Sequence, residues 1–464
     1  MPGIGRERGA PLRNRRTGAI IRTMMKLGLF IAGSGHHIAA WRDPACDPGA
    51  VISLKHYVEM ARLAERGLFD LLFTADTNAT FGPDDIDVWS RTTGALRLEP
   101  LTLLSALAIV TERIGLVSTA TTTYLEPYHV ARLFASLDQI SGGRAGWNLV
   151  TSQAAAEALN FNRAAHVPHD ERYDRAAEFA DVVLGLWDSW DDDAIAADKA
   201  SGLYFHPEKL HFLNHRGRHF SVRGPLTIKR SPQGRPVVVH AGQSEAGREL
   251  AAAYAEVIFT VQQDLEEGRR FAADMKARAG KHGRAAEHVK IMPGVMTIVG
   301  RTRREAELRY EKLQALIHPA LGIKTLSEIV GFDLSPYPLD GPLPELRQTS
   351  TEQVGRQKVV LDMARRENLT LRQLYLRVSG ARAHRAICGT AAEIADSLEE
   401  WYRAGAADGF NIMPLTYPEG LEDFVGAVIP ELQRRGLFRR AYEGRTLREN
   451  LGLPVPPSRW AERG

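Results

Sequence analysis

The chain has 464 residues, 44% of them hydrophobic and 25% charged, which is ordinary globular usage with material for a large core. A net charge of +3 argues against a nucleic-acid or membrane-surface protein, and no run is apolar for long enough to span a bilayer. The two cysteines, Cys46 and Cys388, form no CxxC or metal-ligand spacing, so a reducing cytoplasm and no metal site are expected.

Residues 1–24 carry a cluster of arginines (Arg6, Arg8, Arg13, Arg15, Arg16, Arg22) without apolar periodicity. They read as a flexible arm, dispensable for fold and activity, because they lack the apolar stretch of a secretory signal. From Lys26 the chain alternates short apolar strands with amphipathic helices. Lys26 to Ala32 is the first strand, followed by a helix from Ser53, its N-cap, to Arg66. Leu71 to Asp76 is the second strand, ending on a carboxylate, and Leu101 to Val110 is its helix. Ile114 to Thr123 is the third strand, and Glu126 to Ile140 the next helix. A fourth strand runs through Asn148, with Arg172 to Trp190 helical after it. Further strands are read at 236–241, 257–261, 290–299 and 409–414, with helices at 244–254, 264–281, from about 302, and at 390–404. Eight βα units in series predict a closed (β/α)8 barrel, an α/β fold, over residues 25–456, with 457–464 as a tail. Insertions are expected at about 77–97, 191–235 and 319–385. The second is expected to be ordered, with a hairpin. The third is expected to cover the barrel mouth, using Phe332 and Tyr337 and anchored by helices at 352–367 and 371–378.

Ser141-Gly142-Gly143-Arg144-Ala145-Gly146-Trp147-Asn148 is the most informative segment. The two glycines permit a tight helix-to-strand turn, and the strand ends in the polar groups of Asn148, Thr151 and Ser152. In a parallel barrel the carboxyl ends of strands carry the chemistry. Asp76, the Thr121–Thr123 run, Asn148 and Gly242-Gln243-Ser244 should therefore share one rim. Ser244 opens a helix whose N-terminus suits a phosphate, and equally reads as a plain N-cap. Tyr173 starts another helix, where its phenol either joins that phosphate or is a surface aromatic. His36 and His37 follow the first strand, with Trp41 as an aromatic wall. They are candidates for a substrate pocket, or else hydrogen-bonded structural groups. No nicotinamide-dinucleotide fingerprint is present: Gly33-Ser34-Gly35 ends a strand, but Ile38 stands where the third glycine belongs.

Taken together, several segments resemble the two-component, reduced-flavin-dependent monooxygenases of the bacterial luciferase superfamily. The similar branch is the nitrilotriacetate, dibenzothiophene-sulfone and pristinamycin synthase group. The segments are Gly35 to Arg42, Thr121 to Arg132, Ser141 to Ser152, His169 to Tyr173, His240 to Arg248, Ala404 to Pro414, Pro430 to Phe438 and Thr446 to Leu451. The resemblance implies a luciferase-type TIM barrel binding FMN, used as FMNH2. Asp76, Thr122 and Asn148 would lie by the isoalloxazine, Tyr173 and Ser244 at the phosphate, with His169 and Gln243 nearby. It further implies O2 attack on the reduced flavin to give a C4a-(hydro)peroxide that oxygenates a small organic substrate. A separate NAD(P)H:flavin oxidoreductase would supply the FMNH2, and the chain would form a homodimer or homotetramer. The other readings are an F420-dependent oxidoreductase and a non-catalytic flavin-binding barrel.

Overall fold

The computed structural model describes residues 24–80, 85–152, 154–345 and 354–461. The basic arm 1–23, with the expectation that it is dispensable, lies outside them. Eight parallel strands form the barrel: β1 (Lys26–Phe30), β2 (Leu71–Thr74), β3 (Gly115–Thr121), β4 (Ala145–Val150), β5 (Val237–His240), β6 (Val257–Thr260), β7 (Lys290–Val299) and β8 (Gly409–Pro414). Each pairs with the next, and β8 pairs with β1, so the sheet closes without an edge. Helices follow the strands as expected, including Leu54–Arg66, whose N-cap Ser53 accepts from the His56 amide at 3.3 Å.

Side chains alternate across the barrel wall. Leu71, Phe73, Val117, Val239 and Met292 fill its interior. Leu27, Leu29, Leu72, Leu116 and Ile412 point outward beneath the helices. The alternation decides which polar residues can reach the mouth.

One strand is additional to the expected set. Ten-residue β7 pairs through Lys290–Pro293 with β6, while its second half, Val295–Val299, pairs with Arg385–Gly389. This ninth strand was not read from the sequence, because Arg-Ala-Ile-Cys-Gly carries no alternating pattern and is only partly buried. Its pairing is available because β7 outruns its barrel neighbour.

Gly142 (φ 69°) and Gly143 (φ 92°) make the helix-to-strand turn, both in the left-handed region that glycine enters at least cost. Arg144 then turns inward. It donates to the carbonyls of Ala108 and Thr111, at 2.9 and 3.0 Å, at the end of the Pro100–Val110 helix. It thereby satisfies acceptors that a helix end leaves open.

The C-terminal segment closes the opposite end of the barrel. Leu447 and Leu451 pack with the interior cluster, and the Leu447 amide donates to Gly143 O at 3.0 Å. Asp70, fully buried, accepts from the Leu27 amide at 2.8 Å and pairs with Arg439. Arg448 pairs with Glu256 on the other side.

The 191–235 insertion contains two antiparallel hairpins, Ile195–Asp198 with Leu203–Phe205 and His215–Arg216 with Ser221–Val222. The third insertion holds three helices, Pro319–Val330, Val354–Glu367 and Leu371–Ala381. The first of these was not expected. They share an apolar core of Leu326, Leu361, Leu374 and Val378, which seats on Ala39 and Val261. Ala39 follows β1 and Val261 follows β6, so the insertion is anchored at the carboxyl-end rim.

Candidate active site

A cavity of about 1130 Å³ opens at the carboxyl ends of the strands. Its floor is aromatic. Phe30, Phe73 and Phe259 form a triangle of rings 4.8 to 5.8 Å apart, each pair edge-on or tilted. Asp76, Thr119, Thr121, Asn148 and Ser152 line the β2–β4 side.

These polar groups hold one another in place. Asn148 Nδ2 donates to Thr119 Oγ1 at 2.8 Å, while Asn148 Oδ1, in a residue 2% exposed, has no hydrogen-bond partner among the described residues. A buried amide oxygen without a donor costs free energy unless something in the cavity supplies one. Thr121 and Ser152 hydroxyls lie 2.8 Å apart, and Ser152 donates to the buried Glu157 at 2.8 Å. Glu157 also accepts from Thr77 at 3.4 Å and from Asn78 Nδ2 at 3.1 Å, fixing the loop that carries Asp76. Burial pushes the Asp76 carboxyl up to about 6.

Asp76 therefore couples to pH in a stated direction. Its folded value lies above the ordinary 3.8, so the folded chain binds the proton more tightly and loses stability as pH rises from about 4 to about 6. Asp76→Asn is expected to gain stability relative to wild type across that window, with the difference constant above pH 7. Urea titrations at a series of pH values measure it, and a flat difference would contradict the assignment.

The phosphate candidates converge. Ser244 Oγ lies 3.3 Å from Tyr173 Oη and accepts from the Gly247 amide at 3.1 Å. Neither lines the cavity, but Ala241, three residues before Ser244, does. An added Cβ on Gly242 would come within 2.9 Å of Gly247 Cα, so the loop and helix start touch through two glycines. The His169 ring packs against Tyr173 at 4.8 Å and bonds Asp170 through Nδ1 at 2.9 Å. Gln243 turns its amide away, donating to Thr260 Oγ1 and Val261 O at 2.8 Å each. It bridges β5 and β6.

Like His169, Tyr173, Gln243 and Ser244, four other candidates do not line the cavity. Thr122 is fully buried, with its hydroxyl donating to Val150 O at 3.2 Å. Strand alternation directs Thr119 and Thr121, of the same parity as Val117, to the mouth instead. His36 and His37 lie along β8, their amides donating to Pro414 O and Leu415 O at 3.1 and 3.3 Å. The His36 ring is thereby placed beside Phe30, with Nε2 2.5 Å from Phe30 O. Burial, with the Arg382 charge adding to it, lowers its pKa to about 3. His37 Nε2 lies 3.0 Å from Gln314 Oε1, and burial lowers its pKa to about 4. Both are neutral structural groups near pH 7. Trp41 donates its indole N–H to Arg91 O at 3.2 Å, bracing the loop after β2.

The third insertion, expected to cover the mouth, reaches the cavity through residues other than the aromatic pair read for it. Phe332 and Tyr337 are exposed and face each other, ring centroids 6.0 Å apart, away from the cavity lining. The insertion instead sends Glu328, Arg382 and His384 to the cavity wall. No local signal marks these three, because they meet the barrel only through the packing of the helices that carry them.

A closed parallel barrel with a polar, aromatic-floored cavity at the carboxyl ends of its strands defines a (β/α)8-barrel enzyme. The particular family follows from comparison with known proteins. A model of the luciferase-like monooxygenase family matches residues 26–408, and the chain belongs to that family. It is 52% identical over 440 residues to nitrilotriacetate monooxygenase component A of Aminobacter aminovorans, covering 93% of this chain and 97% of that protein. It is 49% identical over 443 residues to N-acetyl-S-(2-succino)cysteine monooxygenase of Bacillus subtilis (strain 168), covering 95% and 99%. The structure of riboflavin lyase (RcaE), with modified FMN and riboflavin, is similar with a TM-score of 0.83 and 31% identity, over 94% of this chain and 98% of that one. The chain is a flavin-dependent monooxygenase of the branch that includes nitrilotriacetate monooxygenase. No helix among the described residues is long and apolar enough to cross a membrane.

Proposed function

We propose that the chain is the oxygenating component of a two-component system. It binds FMN, reduced by a separate NAD(P)H:flavin oxidoreductase, and places one atom of O2 into a small organic substrate. The observation that carries this reading is Asn148, a cavity-lining amide whose buried Oδ1 has no hydrogen-bond partner among the described residues. A flavin ring N–H is a donor of the required kind. The Tyr173–Ser244 pair beside the same cavity supports it, since two hydroxyls at a helix start suit the FMN phosphate.

Reduced FMN supplies the electrons that activate O2. The chain's own residues do the rest. Tyr173 and Ser244 anchor the phosphate, and Thr121 and Ser152 position Asn148's side of the ring. Phe30, Phe73 and Phe259 keep the floor dry. Asp76 is able to hold a proton near neutrality. His36, His37 and Trp41 support the walls from behind.

The purified chain is expected to bind FMN and to oxidise no NADH alone. With an added flavin reductase and NADH it should transfer oxygen, read by mass spectrometry. Fluorescence titration with FMN and with F420 separates the flavin reading from the deazaflavin one. Robust NADH turnover by the isolated chain, or preference for F420, would overturn it.

A further inference from the structure

Four hydroxyls on the β2–β4 side each carry one proton, and the bonds around them say where each proton goes. Thr74 Oγ1 donates to Val117 O at 3.3 Å, and Thr119 Oγ1 donates to Thr74 O at 2.8 Å. A carbonyl oxygen only accepts, so both directions are settled. Ser152 Oγ donates to Glu157 at 2.8 Å, so the 2.8 Å contact between Thr121 and Ser152 takes its proton from Thr121. Thr121 Oγ1 in turn accepts from the Thr123 amide at 3.1 Å.

These directions fix Asn148. It is the β4 partner of Thr119 in the strand register, and both line the cavity. A side-chain amide has nearly the same shape either way round, with donors at one end and an acceptor at the other, so its partners decide which end faces where. Thr119 has given its proton to Thr74 O and presents lone pairs to Asn148. Only the Nδ2 end can meet them, and it does so at 2.8 Å. The reverse orientation would set oxygen against oxygen. The Oδ1 end is left buried and without a hydrogen-bond partner among the described residues.

The charged groups on the same side of the cavity do not fill that vacancy. Glu157 accepts from Ser152, Thr77 and Asn78, and Glu99 accepts from the Leu101 and Thr102 amides. Arg97 donates to Gly94 O at 2.8 Å. The cavity therefore presents one acceptor whose direction is set by strand pairing, before any ligand arrives.

We propose that Thr119 is the positioning residue that locks the Asn148 amide with its oxygen available to the cavity, so that the site recognises a ring N–H and rejects a lone pair at that point. The inference rests on the flavin reading, because the flavin ring is the donor it invokes. That ring offers an N–H at N3 in both redox states. It offers one at N5 only when reduced, since oxidised N5 carries a lone pair. A locked acceptor facing N5 would make the chain favour reduced flavin, whereas one facing N3 would serve both states.

The test uses the full chain at about pH 8, where the Asp76 carboxyl, raised to about 6, has lost its proton and cannot donate in place of the ligand. Affinities are compared for FMN against N3-methyl-FMN, and for anaerobically reduced against oxidised FMN. Wild type should prefer the N–H form by about tenfold in at least one pair, and the pair that responds identifies the nitrogen. Thr119→Val keeps the shape and removes the hydroxyl, and it should cut that preference by about fivefold or more. Thr119→Ser keeps the hydroxyl and should hold the preference within about twofold. A purely structural role would weaken both members of a pair alike. Thr119→Ala gives the same comparison if the valine does not pack. In the FMN-free chain, Thr119→Val, Asn148→Ala and the double variant are unfolded in urea. The double variant's midpoint should fall by less than the two single shifts together, because each removes the same bond. No preference in wild type, a preference unchanged in Thr119→Val or lost equally in Thr119→Ser, or additive midpoints would overturn the proposal. If wild type bound neither form of FMN, the flavin reading would fall, and the urea cycle would still decide whether Thr119 holds Asn148.

Discussion

Replacing Ser244 by Ala, or Tyr173 by Phe, is expected to weaken FMN binding by about 10- to 100-fold while leaving riboflavin binding nearly unchanged. The two hydroxyls lie 3.3 Å apart at the start of the Glu245–Tyr254 helix, beside the cavity. A hydrogen bond to a charged group contributes roughly 1.5–3 kcal/mol, and each 1.4 kcal/mol is about tenfold in affinity. Riboflavin has the same ring and no phosphate, so it isolates the term. Ser244 also caps its helix through the Gly247 amide, and loss of a cap costs about 1 kcal/mol of stability. That cost falls on both ligands alike, whereas the phosphate term does not. Comparison of FMN and riboflavin dissociation constants for the three proteins is the measurement. Equal losses for both ligands would remove Ser244 and Tyr173 from the phosphate.

Asp70→Ala should be the most damaging single change at the closed end of the barrel, by about 3–5 kcal/mol in chemical denaturation. Asp70 is fully buried at the start of β2. It accepts the Leu27 amide, pairs with Arg439, and has Lys26 Nζ at 3.9 Å. Removing it strands a buried guanidinium and a mostly buried ammonium, and leaves a β1 amide without an acceptor. Burial already lowers the Lys26 pKa, and Asp70 is the largest opposing influence on it. Arg439 also donates to Asn450 O at 2.9 Å, so the pair ties the C-terminal segment to the barrel floor. Asp70→Asn keeps the size and an acceptor for Leu27 and should lose less. If Asp70→Ala were as stable as wild type, this network would not hold the segment.

Much of the barrel was legible in the sequence because its signals are local. Ser53, Thr302 and Thr390 cap helices at the places where polar residues precede apolar periodicity. Gly142 and Gly143 announce a turn through backbone freedom alone. The rim was legible for a related reason. In a parallel barrel every strand ends on the same face, so Asp76 and Asn148 come together once their strands are recognised. Tyr173 and Ser244 meet because each begins a helix on that face.

Other placements depend on register or on distant packing. Thr122 was preferred within a run of three threonines, where no chemical difference separates neighbours. Strand parity assigned the mouth to Thr119 and Thr121. From the sequence His36 and His37 read equally as pocket candidates or as hydrogen-bonded structural groups, and only the pairing of their amides with Pro414 O and Leu415 O turns both rings into the protein.

The sequence by itself determined the alternation of strands and helices, the closed barrel they imply, the polar rim and the family. Periodicity, caps, turn residues and contiguous motifs are all written within short stretches of chain. Only the tertiary structure decided which threonines face the cavity, how residues 437–453 seal the floor, and that Arg382 and His384 reach the same cavity as Asn148. Those outcomes depend on contacts between residues hundreds of positions apart. Side-chain size and charge, such as the space over Gly294 and the buried carboxylate of Asp70, select them only once the barrel has closed.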